Sequence, residues 1–450
     1  MKLRIVTAVV AVLTLATASA ASAQPRAERP YRGLFGGGFS ETTQSLTANA
    51  SLGAGWDQNV LLGSGLRRSD TLNPRNARSG EYGIGSAGLN YALQRGVFNL
   101  GASAVSTTRY YPNLVFNEFV RSHRGSVNAS FTFGRTRFWA GQSLAYQPYN
   151  LVSLLFLPPA EGLADVVELP DEDLSISPFR YTSNATTAGV SHSFPLGRRG
   201  TVGLAYDYAR VDVSTRPDVF WRQGASARYT HALTRGLNAY VGYYMYDVWY
   251  PRGLGQSRHY RVHNADAGID FNRALSMSLS RRVTLTFTTG SSAFVRGNED
   301  NVGRRYRLNG TATLNREVGR TWNARVGYVR GVSFVETFDN PFLYDSVYAS
   351  YSGLLNRRLR FASRVGASFG NVGLSGRSPY EAYNGRANLD YAVSRFVSTG
   401  VSYSYSRYTF RGTTRLPDGS LPFADRQGVR AYVTAWAPLF TRIRRADAPG

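Results

Sequence analysis

The stretch Arg357-Arg358-Leu359-Arg360-Phe361-Ala362-Ser363-Arg364-Val365-Gly366-Ala367-Ser368-Phe369 decides the fold class of this chain. Leu359, Phe361, Val365, Ala367 and Phe369 share one phase, while Arg358, Arg360, Arg364 and Ser368 share the other. Successive side chains of a strand point to opposite faces, so the segment reads as a strand with one greasy and one charged face. The split recurs at Tyr306, Leu308, Ala312 and Leu314 against Arg305, Arg307, Asn309, Thr311 and Thr313. It recurs again at Tyr383, Ala387, Leu389, Tyr391 and Val393 against Asn384, Arg386, Asn388 and Asp390.

Such strands flank short, arginine-marked turns. These lie near Arg95, Arg135, Arg198–Arg199, Arg235, Arg281–Arg282, Arg316–Arg320, Arg357–Arg358 and Arg395, nearly all about 40 residues apart. A tight turn followed by a longer polar connection is the hairpin rhythm of a transmembrane β-barrel. The first strand is expected at Ser45–Trp56, with Leu46, Ala48, Ala50, Leu52, Ala54 and Trp56 in phase. Hairpins then pair 81–93 with 97–108, 123–133 with 136–146, 183–194 with 200–211 and 223–233 with 237–248. Further on, 262–274 pairs with 282–295, 304–315 with 321–334, 343–354 with 358–370 and 381–393 with 396–408, before a last strand at 427–440. The expected fold is all-β, a closed antiparallel barrel of about 18 strands with both ends on the side of the short turns.

An arginine facing hydrocarbon at the midplane costs about 2–4 kcal/mol, so the charged face is expected to line a wet lumen. Trp56, Tyr110, Tyr111, Trp249, Tyr250, Trp322 and Trp436 stand near strand ends, where an interfacial aromatic girdle is expected. A soluble sandwich or propeller also has short, evenly spaced strands. Its core would exclude the arginines and would need bulkier partners than this thin face of Ala, Val, Leu and Tyr.

The N-terminus explains how such a chain leaves the cytoplasm. Lys2 and Arg4 precede the apolar run Ile5–Ala16, and Ala21-Ser22-Ala23 before Gln24 has the form of a cleavage site. Residues 1–23 therefore read as a cleaved secretory signal peptide, whose apolar run is too short to span a bilayer. Residues 24–43, with Arg32-Gly33-Leu34-Phe35-Gly36-Gly37-Gly38, show neither period and read as a flexible periplasmic lead or small plug. The barrel is expected over 44–440, with a basic C-terminal tail at 441–450 and a location in the bacterial outer membrane. The formal net charge of +23 would ordinarily suggest a nucleic-acid partner, but an exported barrel does not meet one. Lys2 is the only lysine, so arginine carries the charge, and the absence of cysteine removes thiolate metal sites and disulfides.

One connection is longer than the rest. Gln147–Tyr181 carries Glu161, Asp165, Glu168, Asp171, Glu172 and Asp173, with no basic residue before Arg180. It also holds the apolar run Leu151-Val152-Ser153-Leu154-Leu155-Phe156-Leu157. An acidic loop with its own apolar anchor, beside an arginine-rich wall, is expected to fold inward and focus the field across the lumen.

On this acidic third loop and on Arg228, Arg305, Arg307, Arg325, Arg360, Arg364, Arg386 and Arg430 as wall residues, the chain resembles the bacterial outer-membrane porins. Gly55-Trp56-Asp57-Gln58-Asn59-Val60 is also similar to the opening of β-barrel porin family 2. Tyr432 to Phe440 resembles the C-terminal aromatic signal read by the barrel-assembly machinery, although Thr441–Gly450 follow it here. The resemblance implies a passive diffusion channel for small hydrophilic solutes, set in outer-membrane lipid and lipopolysaccharide. The eight wall arginines against Asp207, Asp266, Asp270 and Asp390 point to a bias toward anions. Two alternatives remain open: an outer-membrane exit for an exported polysaccharide, and a non-conducting structural or adhesive barrel.

Enzymatic readings fare worse. Gly83, Gly85 and Gly88 match a dinucleotide fingerprint but lie inside a strand with no helix after it. His259 and His263 are four apart at the start of a strand, a poor metal pair, and neighbouring Ser191, His192 and Ser193 point to alternating faces. No catalytic residue, cofactor or metal is expected.

Overall fold

The computed structural model describes residues 42–58, 79–112, 119–148, 180–213, 220–251, 257–274, 282–296, 305–318, 321–334, 341–373, 378–412 and 422–443. The first nine strands are β1 (Thr42–Gln58), β2 (Ser79–Arg95), β3 (Phe98–Tyr110), β4 (Phe119–Phe133), β5 (Thr136–Pro148), β6 (Arg180–Leu196), β7 (Gly200–Val213), β8 (Phe220–Thr234) and β9 (Leu237–Pro251). The second nine are β10 (Ser257–Ala274), β11 (Arg282–Arg296), β12 (Arg305–Val318), β13 (Trp322–Ser333), β14 (Phe342–Leu354), β15 (Leu359–Val372), β16 (Pro379–Ala392), β17 (Val397–Phe410) and β18 (Phe423–Ile443). Each strand pairs antiparallel with its neighbours in sequence, and β1 pairs with β18. The sheet therefore closes into an 18-stranded barrel with no free edge, as the alternation predicted. β1 begins at Thr42 and β18 runs on to Ile443, which pairs with Thr42, so the seam extends a few residues beyond the expected bounds. The expected signal peptide and nearly all of the expected lead lie outside the described residues.

The first short turns are built on glycine, whereas those at 355–358 and 393–396 are closed by Asn356 and Ser394 side chains that accept from turn N–H groups. Arg95 pairs with Phe98 and Phe133 with Thr136, leaving the two-residue loops Gly96-Val97 and Gly134-Arg135. Gly96 and Gly134 have φ of 57° and 58°, the positive value that two-residue hairpins require at their first position. Arginine marks these turns because it follows or precedes that glycine at a wet rim.

Paired residues on adjacent strands project to the same side, so the register sorts every described strand residue into one of two faces. Leu52, Val433, Phe131, Phe138, Val241, Phe287, Ala312, Val347, Leu389 and Val401 belong to one face; Arg228, Arg325, Arg364 and Arg386 belong to the other. On the second face, clusters join strands that are not neighbours, as where Asp57 of β1 meets Arg109 of β3. Convergence across several strands marks the concave side, so this second face is the lumen.

Near the rim of the long connections, the polarity of the two faces reverses. There the outer face carries Arg210 with Asp212, Asp247 with Arg261 and His259, and Arg330 with Asp345. The inner face at the same end is largely apolar and buried, except at the closure of β1–β3 on β18, where it holds Asp57, Arg109 and Arg426. Val329, Phe342, Tyr344, Val372, Tyr380, Tyr408 and Phe410 form one cluster; Phe220, Tyr246, Val248, Tyr260, Val262 and Phe294 form another. The expectation of a charged inner face thus fits the middle and the short-turn half of the wall and the seam, and fails at the outer end of β8–β11 and β13–β17, where the two apolar clusters lie. The physical reason is that strands reaching past the hydrocarbon can expose charge outward, while their inner side becomes a core. Phe334, just after β13, packs on Tyr246 and Tyr260 at 6.0 Å from each ring, drawing the chain inward over that core.

Candidate functional site: the lumen wall

Below the reversal, the outer face is a continuous band of bare apolar side chains. Leu52 is 73% exposed, Phe133 73% and Val241 61%, with Leu144, Leu204, Val347, Val365 and Val433 also exposed around the circumference. Such a girdle is stable only against acyl chains. The chain is a transmembrane β-barrel. Trp322, stacked on Tyr351 near the short turns, and Trp249, stacked on His259 near the other rim, sit on the outer face as a girdle requires. Three expected girdle residues do not, Tyr250 holding an inner-phase position of β9. Tyr111 is 1% exposed inside the barrel, and Trp436 pairs with Asn49 on the lumen face. Tyr111 follows the end of β3 and is drawn in by a buried carboxylate, which strand-end position alone could not reveal.

The inner wall uses one local device repeatedly: an aromatic ring laid over a cross-strand glycine. Tyr348 covers Gly327 and Trp139 covers Gly189, each so closely that a Cβ on the glycine would collide with the ring. The glycine leaves room for a flat ring, and the ring stiffens an otherwise bare stretch of sheet. Because the rings lie flat, they leave space above them for guanidinium groups.

That space is used on β13 to β16. Arg325 pairs with Ser350, Ser350 with Arg364, and Arg364 with Arg386, so three guanidiniums and one hydroxyl stand side by side on consecutive strands. Arg325 and Arg364 flank the Tyr348 ring from both sides, 5.8 and 5.9 Å from its centroid. Among the described residues, no carboxylate bridges either of them. Like charges directly opposite on a sheet are unfavourable, so this row is a cost that the fold carries. Arg307 stands on the same wall; Arg430 lies 5.0 Å over the Tyr432 ring, and Arg360 pairs in register with Asp390. Arg305 occupies a lumen-phase position of β12.

The wall from β7 to β10 is different, because its charges are neutralised. Arg222 contacts Asp207 at 3.2 Å, and Tyr244 donates to the same carboxylate. Arg228 meets Asp266 at 3.4 Å and lies 4.5 Å over the Tyr240 ring. Of the expected wall arginines, then, Arg228 is spent in a pair. Charge is distributed unevenly around the lumen, paired on β7–β10 and concentrated on β12–β18.

A third feature lies at the seam. Asp57 Oδ2 accepts from Arg426 Nη2 at 2.7 Å, from Tyr111 Oη at 2.8 Å and from Arg109 Nη1 at 2.9 Å. Arg109 also lies 4.3 Å over the Tyr82 ring. The cluster ties β1, β2, β3 and β18 together on the inner side of the closure. Asp57 was quoted above only as part of a resemblance motif; Arg109, Arg222 and Arg426 were missed. The phase of β3 does place Arg109 with the small residues Gly101, Ser103 and Thr107, and that signal could have found it.

The expected constriction residues Glu161, Asp165, Glu168, Asp171, Glu172 and Asp173 lie outside the described residues. The five histidines all stand on the outer face, and no group of metal-ligating side chains is found among the described residues. Gly83 and Gly85 face outward and Gly88 inward within β2, so they form no phosphate loop.

No family model matches the chain, and no curated protein matches it. Solved structures similar in fold include Pseudomonas aeruginosa OpdQ, at 11% identity over 88% of this chain and 98% of that one, with a TM-score of 0.44. Pseudomonas aeruginosa OccK2 (OpdF) in complex with glucuronate has 11% identity, the same coverage and a TM-score of 0.45. Acinetobacter baumannii OccAB3 has 10% identity over 88% of this chain and 99% of that one, with a TM-score of 0.42. At this distance the likeness bears on neither solute nor mechanism.

Proposed function

We propose that the barrel is a porin-like channel of the bacterial outer membrane, through which small hydrophilic solutes diffuse with a preference for anions. The observation that carries the preference is the row Arg325–Ser350–Arg364–Arg386, in which two guanidiniums stand with no carboxylate partner among the described residues. Fixed positive charge on one side of a confined aqueous path raises the local concentration of anions and lowers that of cations. The Tyr348 ring between Arg325 and Arg364 contacts both guanidiniums without neutralising them. Passage needs no bond made or broken, so no catalytic residue is called for. In this reading, the carboxylates Glu161, Asp165, Glu168, Asp171, Glu172 and Asp173 of the third connection supply the opposing sign across the path.

A second reading is favoured by one observation. The inner face at the outer rim is buried and aromatic, with Phe294 at 2% and Phe342 at 3% exposure, as in a barrel stoppered at that end. Single-channel recording in a planar bilayer separates the two. Ohmic steps whose reversal potential follows the chloride gradient support the channel. A membrane that stays silent supports the stoppered barrel, and cation preference removes the role assigned to the arginine row.

A further inference from the structure

The wall facing the basic row holds a recess. It is lined by Asn99, Asn128, Ser130, Arg137, Trp139 and Thr187, with Gly101 and Gly141 at its floor. These residues belong to β3–β6, whereas the arginine row belongs to β13–β16; in a ring of 18 strands the two are close to diametrically opposed. The recess opens at Gly101, where an added Cβ would meet nothing within 4 Å, while Gly141 and Gly189, also in lumen phase, let Asn128 and Thr187 and the Trp139 ring lie close against the wall. Trp139 lies flat on Gly189, with Ser130 beside it in register and Asn99 beside Ser130. Asn128 and Thr187 flank Gly141 on either side.

A flat indole edged by amides, hydroxyls and one guanidinium offers two kinds of contact to a single ligand. The ring face suits the axial C–H surface of a pyranose, and the polar edge suits its equatorial hydroxyls. An ion needs no aromatic floor, and an apolar molecule would leave the amides without partners. We propose that this recess binds a pyranose ring, making saccharides a solute class of the channel. The proposal rests on the channel reading for its role in transport, but not for binding itself.

The test uses the refolded full-length protein, first in a planar bilayer and then in detergent. A linear glucose trimer is titrated against the ion current, with sorbitol, an acyclic polyol, as the control. The expected result is a saturable block by the trimer and none by sorbitol at equal concentration. Trp139→Ala should weaken the block about tenfold. Gly101→Leu adds a side chain where a Cβ would meet nothing within 4 Å, so it fills the recess without disturbing the wall and should abolish the block. Equilibrium binding of the trimer in detergent, read by calorimetry, follows the same variants and needs no conducting pore. A silent bilayer with binding intact would sink the channel reading and leave the recess standing. Conducting channels that the trimer does not block, or equal binding to wild type and Gly101→Leu, would overturn the proposal.

Discussion

Replacing Asp57 by alanine should damage the closure of the barrel more than any other single charge removal in the described wall. Its Oδ2 atom is shared by three donors at 2.7–2.9 Å from three directions. The side chains of Asp57, Arg109 and Arg426 are 4%, 3% and 11% exposed, so water replaces the lost carboxylate poorly. Breaking a buried pair by removing one partner costs about 3–5 kcal/mol, and here two guanidiniums lose the same acceptor. At about 1.4 kcal/mol per factor of ten, the unfolding equilibrium should move by roughly two to nearly four orders of magnitude. The assay is urea unfolding of the refolded barrel in lipid vesicles, followed by the mobility difference of folded and unfolded forms in gels. Asp212→Ala removes the acid of an exposed outer-face pair with Arg210 and serves as the control, expected to leave the midpoint in place. Asp57→Asn keeps the volume and an acceptor oxygen and should fall between the two. If Asp57→Ala unfolds at the same urea concentration as Asp212→Ala, the cluster is not what holds the seam.

Three further outcomes follow from the assignment of faces and the arginine row. Arg325→Gln combined with Arg364→Gln should move the reversal potential in a potassium chloride gradient toward the cation side, while channel steps persist. The anion preference of the wild type should fade between 0.1 and 1 M salt, because the screening length drops from about 10 Å to about 3 Å; a preference independent of salt would point to steric selection. On β12, Ala312→Arg places a charge against lipid and should cost about 2–4 kcal/mol in vesicle unfolding, whereas its neighbour Thr311→Arg, on the lumen side, should fold as the wild type does. Equal damage from both would mean that the two faces have been read the wrong way round.

The amino-acid sequence by itself determined the strands, their number and, through the middle of the wall, which residues share a face. Alternation is local: each side chain's phase is set by its immediate neighbours, and glycine at positions such as Gly96 and Gly134 sets the turns in the same local way. The same pattern could not reveal where that polarity reverses, because Tyr344 and Tyr380 are buried only where inner-face side chains of several strands cluster. Nor could it show which charges meet. Asp57 and Arg426 are 369 positions apart and touch only because β1 closes on β18. Arg325, Arg364 and Arg386 form a row only through the stagger of three strand pairings. Phase is a property of one strand, but register and closure belong to the whole sheet, so the pairing of charges was left to the tertiary structure.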